Sequence, residues 1–179
     1  MLRSQEIQQT EAFFGFSDSS WNDDVDTGRS TGCFIITYMG GSMDHSSNMP
    51  DPVALSSAEA EYNEGCVAFM AASHLRMLLC ELEGIDEGGM APTTMYFNSK
   101  SAMAMGNSYR DTKQTRHNMK RYHFVRNEIA ARRFETRWIS MEFMISDIGT
   151  KQLPGPRHTF LMELINIKVK DQQSLIQEG

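Results

Sequence analysis

Cysteine is scarce in this 179-residue chain, which holds only Cys33, Cys66 and Cys80. Their number is odd, their spacing wide, and no C-x-x-C pair occurs. That excludes a disulfide framework and a cysteine-based zinc module and leaves buried free thiols as the expectation. Long apolar runs are lacking too, and none approaches the roughly 20 residues of a membrane span. The opening MLRSQEIQQT has no apolar centre of the kind a secretory signal needs, so the cytoplasm or nucleus is expected. Repeats and low-complexity segments are absent. One domain is therefore expected over residues 12–166, with an N-terminal tail at 1–11 and a polar C-terminal tail at 167–179.

Methionine, by contrast, is abundant at fourteen. Its flexible thioether suits it to filling irregular core gaps, and that is the role expected here. The net charge is −6, which argues mildly against a nucleic-acid partner. The charge is unevenly spread, however. Between 110 and 137 stand nine basic residues (Arg110, Lys113, Arg116, Lys120, Arg121, Arg126, Arg132, Arg133 and Arg137) and three acids, Asp111, Glu128 and Glu135. That window carries +6, so the remainder carries −12. A basic face opposite an acidic region follows.

AFFGFSD (12–18) places Ala12, Phe14, Phe16 and Asp18 on one face of a strand that Asp18 ends. TGCFIITYMGGSM breaks at Gly40-Gly41 into two hairpin-linked strands, 31–39 and 42–47. Ser56 and Glu59 form an S-x-x-E capping box that opens a long helix closed by Gly84. Its apolar stripe reads Tyr62, Cys66, Phe69, Met70, Leu75, Leu78, Leu79 and Leu82. A strand follows at 93–97, then a short helix from Ser99 to about Met105, a basic helix over 112–132 and a strand over 134–140. A helical turn begins at SDIGT, Pro154 and Pro156 break the chain, and a last helix spans 157–166. The order β-β-β-α-β-α-α-β-α predicts an α/β fold: a mixed five-stranded sheet with helices on its faces.

Four positions fall at equivalent places in this layout. Asp18 ends the first strand, Glu61 lies in the first turns of the long helix, Asn98 ends the fourth strand, and Asp147 opens the helix after the fifth. If the first and fourth strands adjoin, all four meet at one edge. Converging carboxylates repel unless a cation sits among them. Such oxygen clusters suit magnesium, and two ions about 4 Å apart can hold both oxygens of a phosphodiester displacement. Taken singly, a strand-ending Asp is an ordinary turn former and an early helical Glu an ordinary dipole partner. Glu59 is occupied by the capping box, which leaves Glu61 as the candidate of that pair. His117 and His123 are six apart, about 600° around a helix, and cannot share a face as metal ligands.

Six segments carry a resemblance to a known family: GFSDSSW (15–21), GRSTGCF (28–34), VALSSAEAEY (53–62), TTMYFNSKSA (93–102), TRHNMKRYHFVRNEI (115–129) and SDIGTKQLPGPRH (146–158). In order and spacing the chain closely resembles the ribonuclease H domain of copia-type LTR retrotransposon Pol polyproteins, from about Gly15 to Ile165. The resemblance implies the ribonuclease H-like fold and two-metal cleavage of RNA in RNA–DNA hybrids. It implies two Mg²⁺ ions, with Mn²⁺ as the alternative. Asp18, Glu61 and Asp147 match the family's catalytic and metal-holding acids. The third acid of the family's pattern would be an Asp at position 98, where this chain has Asn98. The reverse transcriptase domain of the same polyprotein becomes an expected partner, and the chain is too short to contain it.

Asn98 is a physical departure. An ionised Asp offers two anionic oxygens, whereas Asn offers one neutral carbonyl oxygen and an NH₂ that turns positive charge toward a cation. Weaker metal binding and strongly reduced or absent turnover follow, with the fold intact, since Asn caps a helix well. A domain that binds nucleic acid or the polymerase without cutting is the competing expectation. Two lesser departures accompany it. HSSNMPDP (45–52) lacks the aromatic residue and lysines of the family, which reduces phosphate-contacting charge. Gly149 stands where a larger apolar residue is usual, which is expected to loosen that turn. Arg116, Lys120, Arg121 and Lys100 are the cations expected to meet the hybrid's phosphates, with 2′-hydroxyls distinguishing RNA from DNA.

Overall fold

The fold is described by a computed structural model over residues 12–21, 29–49, 54, 56–100, 103 and 119–167. Its strands are β1 (Phe13–Ser20), β2 (Thr31–Tyr38), β3 (Gly41–Asn48), β4 (Thr93–Phe97) and β5 (Phe134–Trp138). Its helices are α1 (Ser57–Glu83), α2 (Met119–Ala130), α3 (Asp147–Thr150) and α4 (Gly155–Glu163), with a 3₁₀ turn at Met141–Phe143. They form one mixed sheet in the order β3-β2-β1-β4-β5. β1 pairs antiparallel with β2 and parallel with β4, and β4 pairs parallel with β5. The expected five-stranded sheet, with the first and fourth strands adjoining, is thus formed.

Alternation along β1 divides the core in two, because successive side chains leave a strand on opposite faces. Phe13 joins Phe34, Ile36, Met95 and Phe134 beneath α1 and α2, against Tyr62, Cys66, Phe69 and Val125. Phe14 and Phe16 join Cys33, Ile35, Tyr96, Met144 and Ile145 on the other face, which α3 and α4 cover. β3 lies at the sheet edge, and its GSMDHSSN sequence keeps that edge polar, a common guard against edge-to-edge pairing.

Helix α1 begins as its sequence directs. The Ser56 hydroxyl accepts from the Glu59 amide at 3.2 Å, and Gly84 closes the helix at φ 67°, where a Cβ would be strained. At 27 residues α1 is long and apolar enough to cross a membrane by length and composition, contrary to the sequence reading. It nevertheless packs along the sheet. The expected stripe also proves too generous. Met70, Leu78 and Leu82 are exposed, while Glu64 and Arg76 are among the most deeply buried side chains of the domain. The methionines likewise divide: Met95 and Met144 fill the core, but Met39, Met43, Met49, Met70, Met77 and Met141 are exposed. An unbranched thioether costs little at a surface, so abundance did not mean burial. The three cysteines are free and buried as expected.

Several boundaries shift. β1 runs two residues past Asp18, so Asp18 lies inside the strand opposite Cys33 and does not end it. The last helix starts two residues early and stops at Glu163, because Pro156 occupies its first turn, where no amide donor is required. The segments 1–11 and 168–179, most of the expected helix at 99–105, and residues 112–118 of the basic helix lie outside the described residues.

Candidate active site

The parallel strands β1, β4 and β5 finish at the same edge of the sheet, and each brings a polar group there. β1 carries Asp18, the turn after β4 carries Asn98, and β5 ends in Trp138. Glu61 stands in the opening turns of α1. On the opposite face, α3 lies against β1, β2 and β3 and delivers Asp147, Thr150 and Lys151.

Gly149 makes that approach of α3 possible. A Cβ at this position would lie 2.5 Å from Cys33 Sγ, 3.0 Å from Cys33 Cβ and 3.1 Å from Ser47 Cβ. Ser47 Oγ donates to the Gly149 carbonyl at 2.6 Å. The expected loosening is therefore not what the structure records; the glycine permits close packing. Gly149→Ala is expected to destabilise the fold by about 1–3 kcal/mol through overpacking, read from urea melts. A variant as stable as the unaltered chain would refute the close-packing account.

Asp18 is almost fully buried, and both its oxygens accept hydrogen bonds. Asn98 Nδ2 donates to Oδ1 at 3.0 Å. Thr150 Oγ1 donates to Oδ2 at 2.7 Å, and Lys151 Nζ donates to the same oxygen at 3.1 Å. The Asn98 amide orientation follows from chemistry, because an ionised carboxylate can only accept. Lys151 Nζ also donates to Asp147 Oδ1 at 2.6 Å. Asp147 Oδ2 lies 3.7 Å from the Arg157 guanidinium, which is itself tied to the carbonyls of Met141 and Glu142.

These contacts set the electrostatics. Burial pushes Asp18 up, but the Lys151 ammonium and the Thr150 hydroxyl outweigh it and hold the carboxyl below its ordinary range. Asp147 goes the other way: burial, reinforced by the charge of Asp18, raises it despite Lys151. Burial would lower the Lys151 ammonium, yet the two carboxylates raise it. Burial also raises Glu61, partly opposed by its hydrogen bond to Ser99, and Glu61 feels the charges of Asp18 and Lys151.

The structure thus brings Asp18, Asn98 and Asp147 into one cluster and places Glu61 within its electrostatic reach. Two divalent cations do not fit this arrangement. Asp18 has both oxygens on donors, Asn98 turns its NH₂ inward, and an ammonium joins the two aspartates. Among the described residues, no three acids, histidines or cysteines are grouped to hold a metal ion.

Of the four cations expected to meet nucleic acid, Arg116 lies outside the described residues, and Lys120 is placed only as part of α2. Arg121 is half-buried, close enough to Cys66 for its charge to oppose the burial that pushes that thiol up to about 12. Lys100 is exposed, 5.6 Å over the ring of Trp138. The basic window is partly self-neutralised, since Arg133 pairs with Glu128 at 2.6 Å and Arg137 with Glu135 at 2.6 Å.

Sequence reasoning missed Lys151 and Trp138. Lys151 stands four residues after Asp147, a spacing that brings side chains together on a helix and was available as a signal. Trp138 is 44 % exposed and its indole N–H donates to the Asn98 carbonyl at 3.0 Å, a cross-strand contact with no sequence signal.

No protein-family model matches the chain. Over 153 residues, 86% of the chain, it is 26% identical to the retrovirus-related Pol polyprotein from transposon TNT 1-94 of Nicotiana tabacum. It spans about a tenth of that relative, 11% of its length. The N-terminal RNase H domain of a Mycobacterium tuberculosis protein superposes with a TM-score of 0.53 at 12% identity, over 86% of this chain and 95% of that one. LC11-RNase H1, solved in complex with an RNA/DNA hybrid, superposes with a TM-score of 0.50 at 17% identity, over 74% and 88%. The fold is that of ribonuclease H, and the resemblance to the ribonuclease H domain of a retrotransposon Pol polyprotein stands.

Proposed function

We propose that this chain is the ribonuclease H-like domain of a copia-type Pol polyprotein, directed at RNA–DNA hybrids, with cleavage of the RNA strand strongly impaired by Asn98. The observation that carries this reading is the Asn98 Nδ2 contact to Asp18 Oδ1 at 3.0 Å. At the seat of an expected anionic oxygen, the chain presents a donor that satisfies the neighbouring acid. The cluster loses one negative charge, and Asp18 loses a lone pair that a divalent cation would need. In this reading Lys100 and the basic helix residues Arg116, Lys120 and Arg121 meet phosphates, and the reverse transcriptase of the same polyprotein remains the expected partner.

A second reading, a domain that binds the hybrid or the polymerase without cutting, draws support from the double occupation of Asp18 Oδ2 by Thr150 and Lys151. One assay separates the two. A labelled RNA–DNA hybrid is incubated with the unaltered chain and with Asn98→Asp, in Mg²⁺ and in Mn²⁺. The impaired-nuclease reading expects weak cleavage that rises at least roughly tenfold in the Asp variant, about 1.4 kcal/mol of transition-state stabilisation. A folded Asp variant that binds hybrid yet stays inert favours the binding domain. Vigorous cleavage by the unaltered chain would sink both.

A further inference from the structure

We infer that the domain supplies its own cation to its carboxylate cluster: the Lys151 ammonium is the resident counter-ion of Asp18 and Asp147, in the place the fold's relatives would give to a metal. The inference rests on charge and geometry alone and concerns the domain without a bound hybrid; vigorous Mg²⁺-dependent cleavage at these carboxylates by the unaltered chain would count against it.

Two buried acids from different elements converge on one Nζ, at 3.1 Å and 2.6 Å. Their positions are fixed independently of Lys151. Asp18 is locked into β1 opposite Cys33 and oriented by Asn98 and Thr150. Asp147 begins α3, which Gly149 seats against β2 and β3. The Lys151 backbone is fixed as well, for its amide donates to the Asp147 carbonyl at 3.0 Å as the chain leaves the helix in an extended conformation. Two buried carboxylates held together without a cation would repel strongly. On the outer side Arg157 lies 3.7 Å from the second oxygen of Asp147. Two aspartates thus face two cations, all from the protein. A divalent ion entering here would meet Lys151 first, and an ammonium and a divalent cation cannot share those oxygens without mutual repulsion. The fold should accordingly be indifferent to divalent metal as it stands and become responsive once the ammonium is removed.

The test is a set of thermal melts in EDTA and in millimolar Mg²⁺, with NaCl matching the ionic strength. Three proteins are compared: the unaltered chain, Lys151→Met, and the double variant Lys151→Met with Asp147→Asn. The unaltered chain should melt at the same temperature in both buffers. Lys151→Met should melt lower in EDTA by on the order of 5 °C, a figure discounted because the lysine is partly exposed, and Mg²⁺ should restore most of the loss. The double variant removes the surplus charge in place of replacing it, so it should melt near the unaltered chain and ignore Mg²⁺. Should Lys151→Met be unfolded in EDTA and fold on adding Mg²⁺, the conclusion is the same. The inference is overturned if Mg²⁺ raises the melting temperature of the unaltered chain as much as that of Lys151→Met. It is equally overturned if the double variant melts as low as the single one, because Lys151 would then stabilise through its methylenes.

Discussion

Replacing Arg76 with methionine is expected to cost about 3–5 kcal/mol of stability, lowering the melting temperature by roughly 10 °C. Arg76 is 1 % exposed on α1. Its guanidinium donates to the Ala91 carbonyl at 2.7 Å, Thr93 Oγ1 at 3.0 Å, the Glu87 carbonyl at 2.9 Å and the Met90 carbonyl at 2.6 Å. One side chain therefore satisfies three carbonyls of the connection from α1 to β4 and the hydroxyl that opens β4. A buried ion pair can often be exchanged for apolar side chains at little cost, because both charged partners leave together. Here the partners are chiefly backbone carbonyls, which stay when the arginine goes. Each buried acceptor left unpaired costs about 1–3 kcal/mol, and water recovers part of that where the loop is open. Lysine would not rescue the site, since a single ammonium on a flexible stem cannot reach four acceptors that a planar fork spans. The consequence reaches the candidate site, because this loop sets the start of β4 and Asn98 follows directly on the strand's last residue, Phe97. Urea melts with an unchanged m-value would measure the loss. A methionine variant within about 1 kcal/mol of the unaltered chain would show that the desolvation of Arg76 cancels its hydrogen bonds.

Arg76 also shows where a sequence stops being informative. The alternation of AFFGFSD and the helix cap at Ser56 are local: strand period and cap geometry involve residues within four positions of each other, and the strand forms and the Ser56 hydroxyl caps α1. The convergence of Asp18, Asn98 and Asp147 was legible one level up, because each position relates to the end of a predicted element and only strand order had to be guessed. The stripe of α1 was less legible. Periodicity assigned Met70, Leu78 and Leu82 to the core, whereas the helix turns Arg76 and Glu64 inward. Whether a polar side chain can face a core depends on what awaits it there. For Arg76 that is a loop 11–17 residues further along, which no helical period encodes. Lys151 is an intermediate case. Its spacing from Asp147 was visible, but its contact with Asp18, 133 residues away, decides that it bridges two acids and does not merely flank one.

The contribution of Glu64 to fold stability is expected to fall by roughly 3 kcal/mol as pH rises from about 4.5 to about 7, and Glu64→Gln should remove that part of the pH dependence. Glu64 is 1 % exposed on α1, and among the described residues neither carboxyl oxygen has a hydrogen-bond partner. It lies over Gly32 of β2, where a Cβ would stand 2.1 Å from Oε2, so the glycine is what leaves room for it. Burial without a partner pushes the carboxyl from its ordinary 4.5 up to about 7. Below the ordinary value, folded and unfolded chains both hold the proton, and the linked stability is fully present. Between the two values the unfolded chain ionises while the folded chain cannot do so without exposing a bare charge to an apolar interior. The unfolded state then binds fewer protons than the native state, and stability declines with pH until Glu64 ionises in the fold as well. Asp18 acts in the opposite sense, because its lowered value makes acid destabilising, and Asp147 and Glu61 add terms of the Glu64 sign. Those contributions are common to the unaltered chain and to Glu64→Gln, so the difference between their stability curves isolates one residue. The glutamine keeps the shape over Gly32 and removes the proton. Urea melts of both proteins at intervals from about pH 4 to pH 8 should show curves that converge in acid and separate toward neutrality, with the glutamine variant the more stable there. Curves that stay parallel across the whole range would mean that Glu64 ionises as freely in the fold as in the unfolded chain, and the burial of an unpartnered acid beneath α1 would have to be abandoned.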